Sequence, residues 1–328
     1  MGVVSWMERR QVAVYVAALV VGALAGLIVP SAGPGLEHAI NPVLAALLYV
    51  TFLQVPAREL VRGLRAGRFP AAALVVNFVV VPVVVAGMFA FLPNDQAVRL
   101  GVLLVLLAPC VDYVIVFSGL AGGSSQKLLA ATPLLLLAQI VLLPAYLWLF
   151  LGSDLAKIVE LGPFVHAFVV LIVIPLTLAW LTQALAARRR PGLTAALSTS
   201  MVPLMAATLF TVVASQVPKL DGRVGKVVAV VPFYVAFLIV MAFAGLAVVR
   251  LFRLDVPSGR AIIFTGATRN SLVVLPLALA LPDHLAIAAV VVVTQTLVEV
   301  LGMVAYVRVV PRLLSGDVRP AGAPGSRP

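Results

Sequence analysis

The chain has 328 residues, of which 63% are hydrophobic and only 11% are charged, and its mean hydropathy is +1.16. A soluble domain of this length needs a polar surface that this composition cannot supply, so the composition excludes a soluble globular protein. The net charge of +11 could suggest nucleic-acid binding, but the basic residues lie in short segments between apolar stretches. We therefore expect them to orient the chain in a lipid bilayer and expect no nucleic-acid partner.

Apolar stretches of membrane-spanning length recur along the whole chain. We predict ten transmembrane helices, at residues 11–29, 39–53, 70–92, 98–121, 127–151, 161–186, 193–217, 227–251, 258–281 and 285–311. With both termini in the cytoplasm, the inner segments hold 17 Lys and Arg residues and the outer loops hold 5. This asymmetry predicts a multi-pass protein of the plasma (inner) membrane with both termini cytoplasmic. The Gly- and Pro-rich segment 313–328 is predicted to be a disordered cytoplasmic tail.

The two halves of the chain are related by an internal repeat. An offset of about 157 residues lays the first five predicted spans on the last five. Because each half has an odd number of spans, the halves, residues 1–151 and 161–312, must have opposite orientations. The same offset superposes two interruptions, at 109–112 in span four and at 266–270 in span nine. The prediction is an all-α membrane protein of two inverted five-helix repeats with broken, crossing helices 4 and 9, as in secondary transporters.

Two charged residues coincide at these interruptions. The offset lays Arg269 on Asp112. A carboxylate at this depth in the membrane costs about 2.5–3.5 kcal/mol, so its presence there indicates that a function or an interaction offsets this free energy. One interpretation is a buried ion pair that neutralises both charges and joins the two breaks. The other leaves Arg269 to bind an anionic substrate. The sequence favours neither over the other.

Other polar residues within the spans each have a functional and a structural interpretation. Glu299 suits a proton carrier, but it also suits a hydrogen bond between helices. Cys110, the only cysteine in the chain, is commonly a small buried apolar residue, and only its position in the break makes it a candidate. Asn77, Gln139 and Gln295 either line a cavity or join helices.

Four segments of the predicted spans carry a family resemblance: 108–110 (Ala-Pro-Cys), 114–118 (Val-Ile-Val-Phe-Ser), 264–268 (Phe-Thr-Gly-Ala-Thr, followed by Asn270) and 297–300 (Leu-Val-Glu-Val). With the span count and the repeat, they make the chain similar to the superfamily of bile acid:sodium symporters and arsenite-efflux transporters, nearest the arsenite-efflux branch.

The resemblance implies a secondary active transporter that exports arsenite or a related metalloid or oxyanion, with no enzymatic activity and no cofactor. By this resemblance Cys110 is the ligand for trivalent arsenic and Glu299 is important for transport. Ser118, Thr268 and Asn270 complete the candidate substrate or ion site with Asp112 and Arg269. A single thiol cannot form a cage of three thiolates, so we expect a transient contact with arsenic.

Several residues depart from the family pattern. Arg269 and Leu272 stand where relatives have an asparagine and a glutamate, and Asp112 replaces a small residue. A guanidinium group would repel Na⁺ at the crossing, so we expect H⁺ as the coupling ion rather than Na⁺. The departures keep open a cation-coupled symporter for an organic anion. A membrane receptor without transport is a remote alternative.

Overall fold

The computed structural model describes residues 6–7, 10–53, 67–111, 113–152, 166, 169–189, 193–220 and 224–315. Thirteen α-helices lie in these ranges: α1 Gln11–Ile28, α2 Gly33–Leu53, α3 Arg68–Phe89, α4 Gln96–Leu106, α5 Val114–Leu120, α6 Ser125–Leu151, α7 Ile174–Arg189, α8 Leu193–Ser198, α9 Met201–Gln216, α10 Val224–Leu251, α11 Val256–Ala267, α12 Ser271–Leu279 and α13 Ile287–Leu313. Within the described ranges no β-strand is present, only one isolated bridge between two residues.

Among the described residues, seven helical segments are long and apolar enough to cross a membrane. They are α1, α3, α6, α10, α13, and the segments Pro30–Leu53 and Met201–Lys219, which extend α2 and α9 by short 3₁₀ turns. Two shorter apolar segments are α4 and Ile174–Ala186. The predicted all-α membrane fold is confirmed, and the chain is a multi-pass membrane protein. The predicted spans four and nine each consist of two helices, α4 with α5 and α11 with α12. Ten spans in two inverted repeats remain a prediction.

The helices pack in two groups. In the first group, which we call the panel, α1 and α2 pack on α9, and α2 also packs on α7 and α8. In the second, which we call the core bundle, α10 packs on α11 and α13, and α13 packs on α4 and α12, with α3, α5 and α6 completing the group. The panel meets the core bundle through contacts that include α2 with α12 and α9 with α13.

Two glycines of α1 allow close packing inside the panel. A Cβ atom added at Gly22 would lie 2.8 Å from the carbonyl oxygen of Phe210, and one added at Gly26 would lie 2.8 Å from that of Ala214. Both carbonyls belong to α9, and the two glycines are four residues apart on one face of α1. This spacing of small residues lets two transmembrane helices approach with their backbones nearly in contact.

Ion pairs join the two halves of the chain at the starts of α4 and α11. Asp95 precedes α4, accepts from the backbone N–H of Val98 at 3.1 Å and pairs with Lys226 at 2.6 Å. Asp255 precedes α11 and pairs with Lys127 at 3.3 Å. Partial burial acts to raise the pKa of Asp95, but the Lys226 hydrogen bond and charge and the Val98 N–H outweigh it and hold the pKa below its usual value. Asp95 therefore stays ionised as the capping residue of α4.

Replacing Gly22 with alanine should lower the stability of the panel. The added methyl group meets backbone rather than a mobile side chain, so α1 must move away from α9, at a cost of about 1–3 kcal/mol. The measurement is the Tm of the purified protein in detergent.

Gly87→Ala is the matched control, because a Cβ atom at Gly87 meets nothing within 4 Å. Alanine favours the helix over glycine by about 0.8–1.0 kcal/mol, so this variant should keep or raise the Tm. Equal Tm values for the two variants would contradict the close α1–α9 contact.

Candidate functional site

The two interrupted helices meet at their interruptions. The first break separates α4, which ends at Leu106, from α5, which begins at Val114, and the second break is residues 268–270, between α11 and α12. Pro109 and Arg269 form an antiparallel bridge. The N–H of Cys110 donates to the carbonyl of Thr268 at 3.2 Å, and the N–H of Asn270 donates to that of Ala108 at 2.8 Å. Each break thus supplies hydrogen-bond partners for backbone groups that the other leaves outside a helix, as a membrane interior requires.

The guanidinium group of Arg269 lies at the C-terminal ends of α4 and α11. Arg269 is fully buried. Its Nη2 donates to the carbonyls of Thr265 at 2.6 Å and Gly266 at 2.8 Å and to Oδ1 of Asn77 at 2.7 Å, while Nη1 donates to the carbonyl of Leu106 at 3.3 Å. The carbonyls at a helix C-terminus lack helical partners and carry partial negative charge. One side chain therefore stabilises the ends of two helices.

Asn77 reaches the same point from α3. It lies in a π-helical turn, Val76–Val80, and is fully buried. While its oxygen accepts from Arg269, its Nδ2 donates to the carbonyl of Ala73 at 2.9 Å and to Oγ1 of Thr265 at 3.2 Å. Single π turns within α-helices are frequent at functional sites. Asn77 thus links α3 to the second break.

Glu299 binds both breaks from α13. Its side chain is fully buried. Oε1 accepts from the Tyr113 hydroxyl at 2.5 Å, and Oε2 accepts from the backbone N–H of Arg269 at 2.8 Å and from Nε2 of Gln295. The Tyr113 hydroxyl also lies 3.3 Å from the carbonyl of Arg269. The carboxyl group thus contacts the main chain of Arg269, whereas the guanidinium group points to neutral oxygens.

We call the place where the two breaks meet, with the side chains of Asn77 and Glu299 that bind there, the junction. Some of the remaining predicted site residues lie at the junction and others lie away from it. Cys110 and Thr268 are buried and paired through their backbones, and Oγ1 of Thr268 donates to the carbonyl of Phe264 at 2.7 Å. Asn270 begins α12, where its Oδ1 accepts from the N–H of Val273 at 3.1 Å. Ser118 is buried near the opposite end of α5, where its carbonyl accepts from the N–H of Gly123 at 2.8 Å. The junction therefore includes Cys110, Thr268 and Asn270 but not Ser118.

Nine buried side-chain atoms have no hydrogen-bond partner within the described part of the chain, and four of them belong to residues of the site: Nδ2 of Asn270, Oε1 of Gln295, Nε of Arg269 and Oγ of Ser118. The first three belong to residues that already contribute to the junction. A buried donor or acceptor without a partner costs free energy, so such atoms in a native structure point to a bound solute or water. Among the described residues, no three His, Cys, Asp or Glu side chains lie close enough to hold a metal ion.

Asp112 lies outside the described residues, so its predicted ion pair with Arg269 remains a prediction. Tyr113, Asn77 and Gln295 join the junction, although the sequence did not select them for the site. Asn77 and Gln295 were detectable only as polar residues within apolar spans. The structure assigns Asn77 to a contact between helices, one of the two roles left open for it, whereas Gln295 donates to Glu299 within its own helix, α13. Tyr113 had no signal beyond its place beside the first break.

A buried polar junction between two interrupted helices of a multi-pass protein is typical of membrane transporters. The model of the Sodium Bile acid symporter family matches residues 41–225 of the chain. The protein belongs to this family. The match includes the first break and ends before the second. No curated protein matches the chain.

Replacing Tyr113 with phenylalanine should destabilise the junction. The variant leaves Oε1 of Glu299 without its donor in a dry environment, which should cost about 1–2 kcal/mol. Unfolding of the purified protein in detergent, followed by circular dichroism, measures the change.

Tyr49→Phe is the control for this variant. Its hydroxyl lies 2.9 Å from Oγ1 of Thr182 in the half-buried part of the panel. A bond between two neutral, half-buried hydroxyl groups should contribute less than half as much. A larger loss at Tyr49 than at Tyr113 would contradict the importance of the Glu299 contact.

Proposed function

We propose that the protein is a secondary active transporter that exports arsenite, or a related metalloid or oxyanion, across the plasma (inner) membrane. The proposed mechanism is alternating access with proton exchange. The observation that carries this proposal is the buried junction, where a carboxyl group and a thiol-bearing residue meet at two paired helix breaks in a member of a transporter family.

The polar groups left available at the junction favour a small neutral substrate. Because Arg269 directs Nη1 and Nη2 to protein oxygens, only its Nε–H, buried without a partner among the described residues, is left for an anion. Nδ2 of Asn270 is a donor and Oε1 of Gln295 is an acceptor, and both are buried without a partner among the described residues. Arsenite at neutral pH is As(OH)₃, whose hydroxyl groups both donate and accept. The sulfur of Cys110 is the soft ligand that As(III) prefers.

Glu299 is the proposed proton carrier. As a carboxylate it only accepts hydrogen bonds, whereas a protonated carboxyl group also donates one. Its present partners, the Tyr113 hydroxyl, the Arg269 N–H and the Gln295 amide, are all donors to it. Protonation at one oxygen therefore opposes at least one of these bonds. Because Tyr113 lies at the first break and Arg269 at the second, gain or loss of the proton changes contacts in both halves of the chain.

The division into panel and core bundle supports alternating access through movement of one group against the other. The hydrogen bonds that described side chains make to another helix join helices of the same group. In the panel, for example, Gln183 donates to the carbonyl of Leu53, and in the core bundle Tyr234 donates to the carbonyl of Val291. Each group also contains equivalent predicted spans from both halves of the chain. The panel, for example, contains spans one and two from the first half and the equivalent spans six and seven from the second half. This composition is what ten spans in two inverted repeats would produce.

A cation-coupled symporter for an organic anion is the second candidate. It is favoured by the family model, whose description names sodium and bile acid. In this alternative the driving cation binds away from the guanidinium group, and the substrate is larger than arsenite.

Flux into proteoliposomes separates the two candidates. For the first, arsenite flux should follow an imposed pH gradient and be indifferent to a Na⁺ gradient. Glu299→Gln should reduce gradient-driven flux about tenfold or more, equivalent to about 1.4 kcal/mol in the barrier. Cys110→Ala should reduce arsenite flux to a similar extent, because it removes the soft ligand.

Thr177→Ala is the control variant, since Thr177 is exposed on α7 and donates only to the carbonyl of Val173 in its own helix turn. Its flux should equal that of the unaltered protein. Flux that ignores arsenite and follows Na⁺ with a bile acid would overturn the first candidate in favour of the second.

A further inference from the structure

The oxygens around the Arg269 guanidinium group form a cation site. Four oxygens contact it, three of which are carbonyls at the ends of α4 and α11 and the fourth the amide oxygen of Asn77. Three of the four converge on Nη2 at 2.6–2.8 Å. Broken helices in transporters commonly present such C-terminal carbonyls to a monovalent cation. Here the cation is a side chain of the protein itself.

We propose that Arg269 is a tethered cation that fills this site permanently, so that no external monovalent cation binds at the junction during transport. Removing the side chain opens a site that accepts a small monovalent cation. The consequence for coupling rests on the proposed transport function, but the binding behaviour does not. The proposal assigns Arg269 a structural and coupling role in place of substrate recognition.

The geometry argues against Arg269 as an anion-binding residue. A guanidinium group binds an oxyanion bidentately through two neighbouring N–H groups, either Nη1 with Nη2 or Nε with Nη2. Both arrangements use Nη2, which has three protein acceptors, so Nε, which is buried without a partner among the described residues, is a single donor and not half of a bidentate pair. The group also lies over the ring of Phe237, with Cζ 5.7 Å from the ring centroid. Phe237 therefore covers part of the face of the group, and the cation–π contact favours its positive charge.

Tm measurements on the purified protein in detergent test the proposal. The Tm is followed while choline chloride is replaced by NaCl, KCl or NH₄Cl at constant ionic strength. The unaltered protein should show no saturable change. Arg269→Ala should have a lower Tm in choline, because the helix-end carbonyls lose their partner. At least one of the three cations should then raise its Tm saturably, by about 3 °C or more.

Two further variants sharpen the comparison. Arg269→Lys keeps a tethered cation and should remain insensitive to all three salts. Arg260→Ala is the matched control, because Arg260 also donates to carbonyls, those of Ala121 at 3.1 Å and Leu314 at 3.0 Å, but outside the junction. It should show no saturable response. Millimolar guanidinium chloride should restore the Tm of Arg269→Ala and leave that of Arg260→Ala unchanged.

The outcomes are decisive in either direction. The proposal would be overturned if the saturable rise in the Tm of Arg269→Ala with Na⁺, K⁺ or NH₄⁺ were no larger than that of the unaltered protein. If Arg269→Ala does not fold, the unaltered protein and Arg269→Lys still decide, because only their insensitivity supports a filled site. Absence of arsenite flux would refute the proposed function while leaving these binding results standing.

Discussion

The pairing of the two helix breaks is the interaction on which the rest of the structure depends. In a membrane interior no water is available to the backbone groups that a broken helix exposes. Residues 108–110 and 268–270 satisfy one another through two backbone hydrogen bonds. Pro109 carries no N–H, so the first break has one donor fewer to satisfy. Polar side chains then bind the backbone groups that are still without a partner. The guanidinium group of Arg269 donates to helix-end carbonyls, and the carboxyl group of Glu299 accepts from the N–H of Arg269.

The sequence predicted the membrane class and the positions of both breaks, because apolar composition, proline and buried charge are local signals. Helix limits were predicted less well. The second span was placed at 39–53, whereas α2 begins at Gly33. The cause is local, since Pro34 looks like a helix breaker but lies in the first turn, where its missing N–H loses no helical bond.

The contacts of the candidate site could not be read from the sequence. Alignment of the halves laid Arg269 on Asp112, and their ion pair stays a prediction because Asp112 lies outside the described residues. The alignment gave no sign that the Arg269 guanidinium group binds Asn77 and the carbonyls at two helix ends. Asn77 is 192 residues from Arg269 in the chain, and no periodicity relates α3 to α11. Such contacts depend on how α3, α4, α11 and α13 pack together.

The panel and the core bundle are each stabilised internally by a different kind of contact, and this difference is relevant to the proposed movement of one group against the other. The panel relies on close backbone approach, as at Gly22 and Gly26, whereas the core bundle adds a network of buried hydrogen bonds at the junction. Both kinds of contact lie within a group, so displacement of one group against the other would leave these contacts intact. Glu299 contacts both breaks from α13, a helix that also meets the panel. A change of protonation at Glu299 would thus act on both breaks and on the boundary between the panel and the core bundle, where the proposed movement would occur.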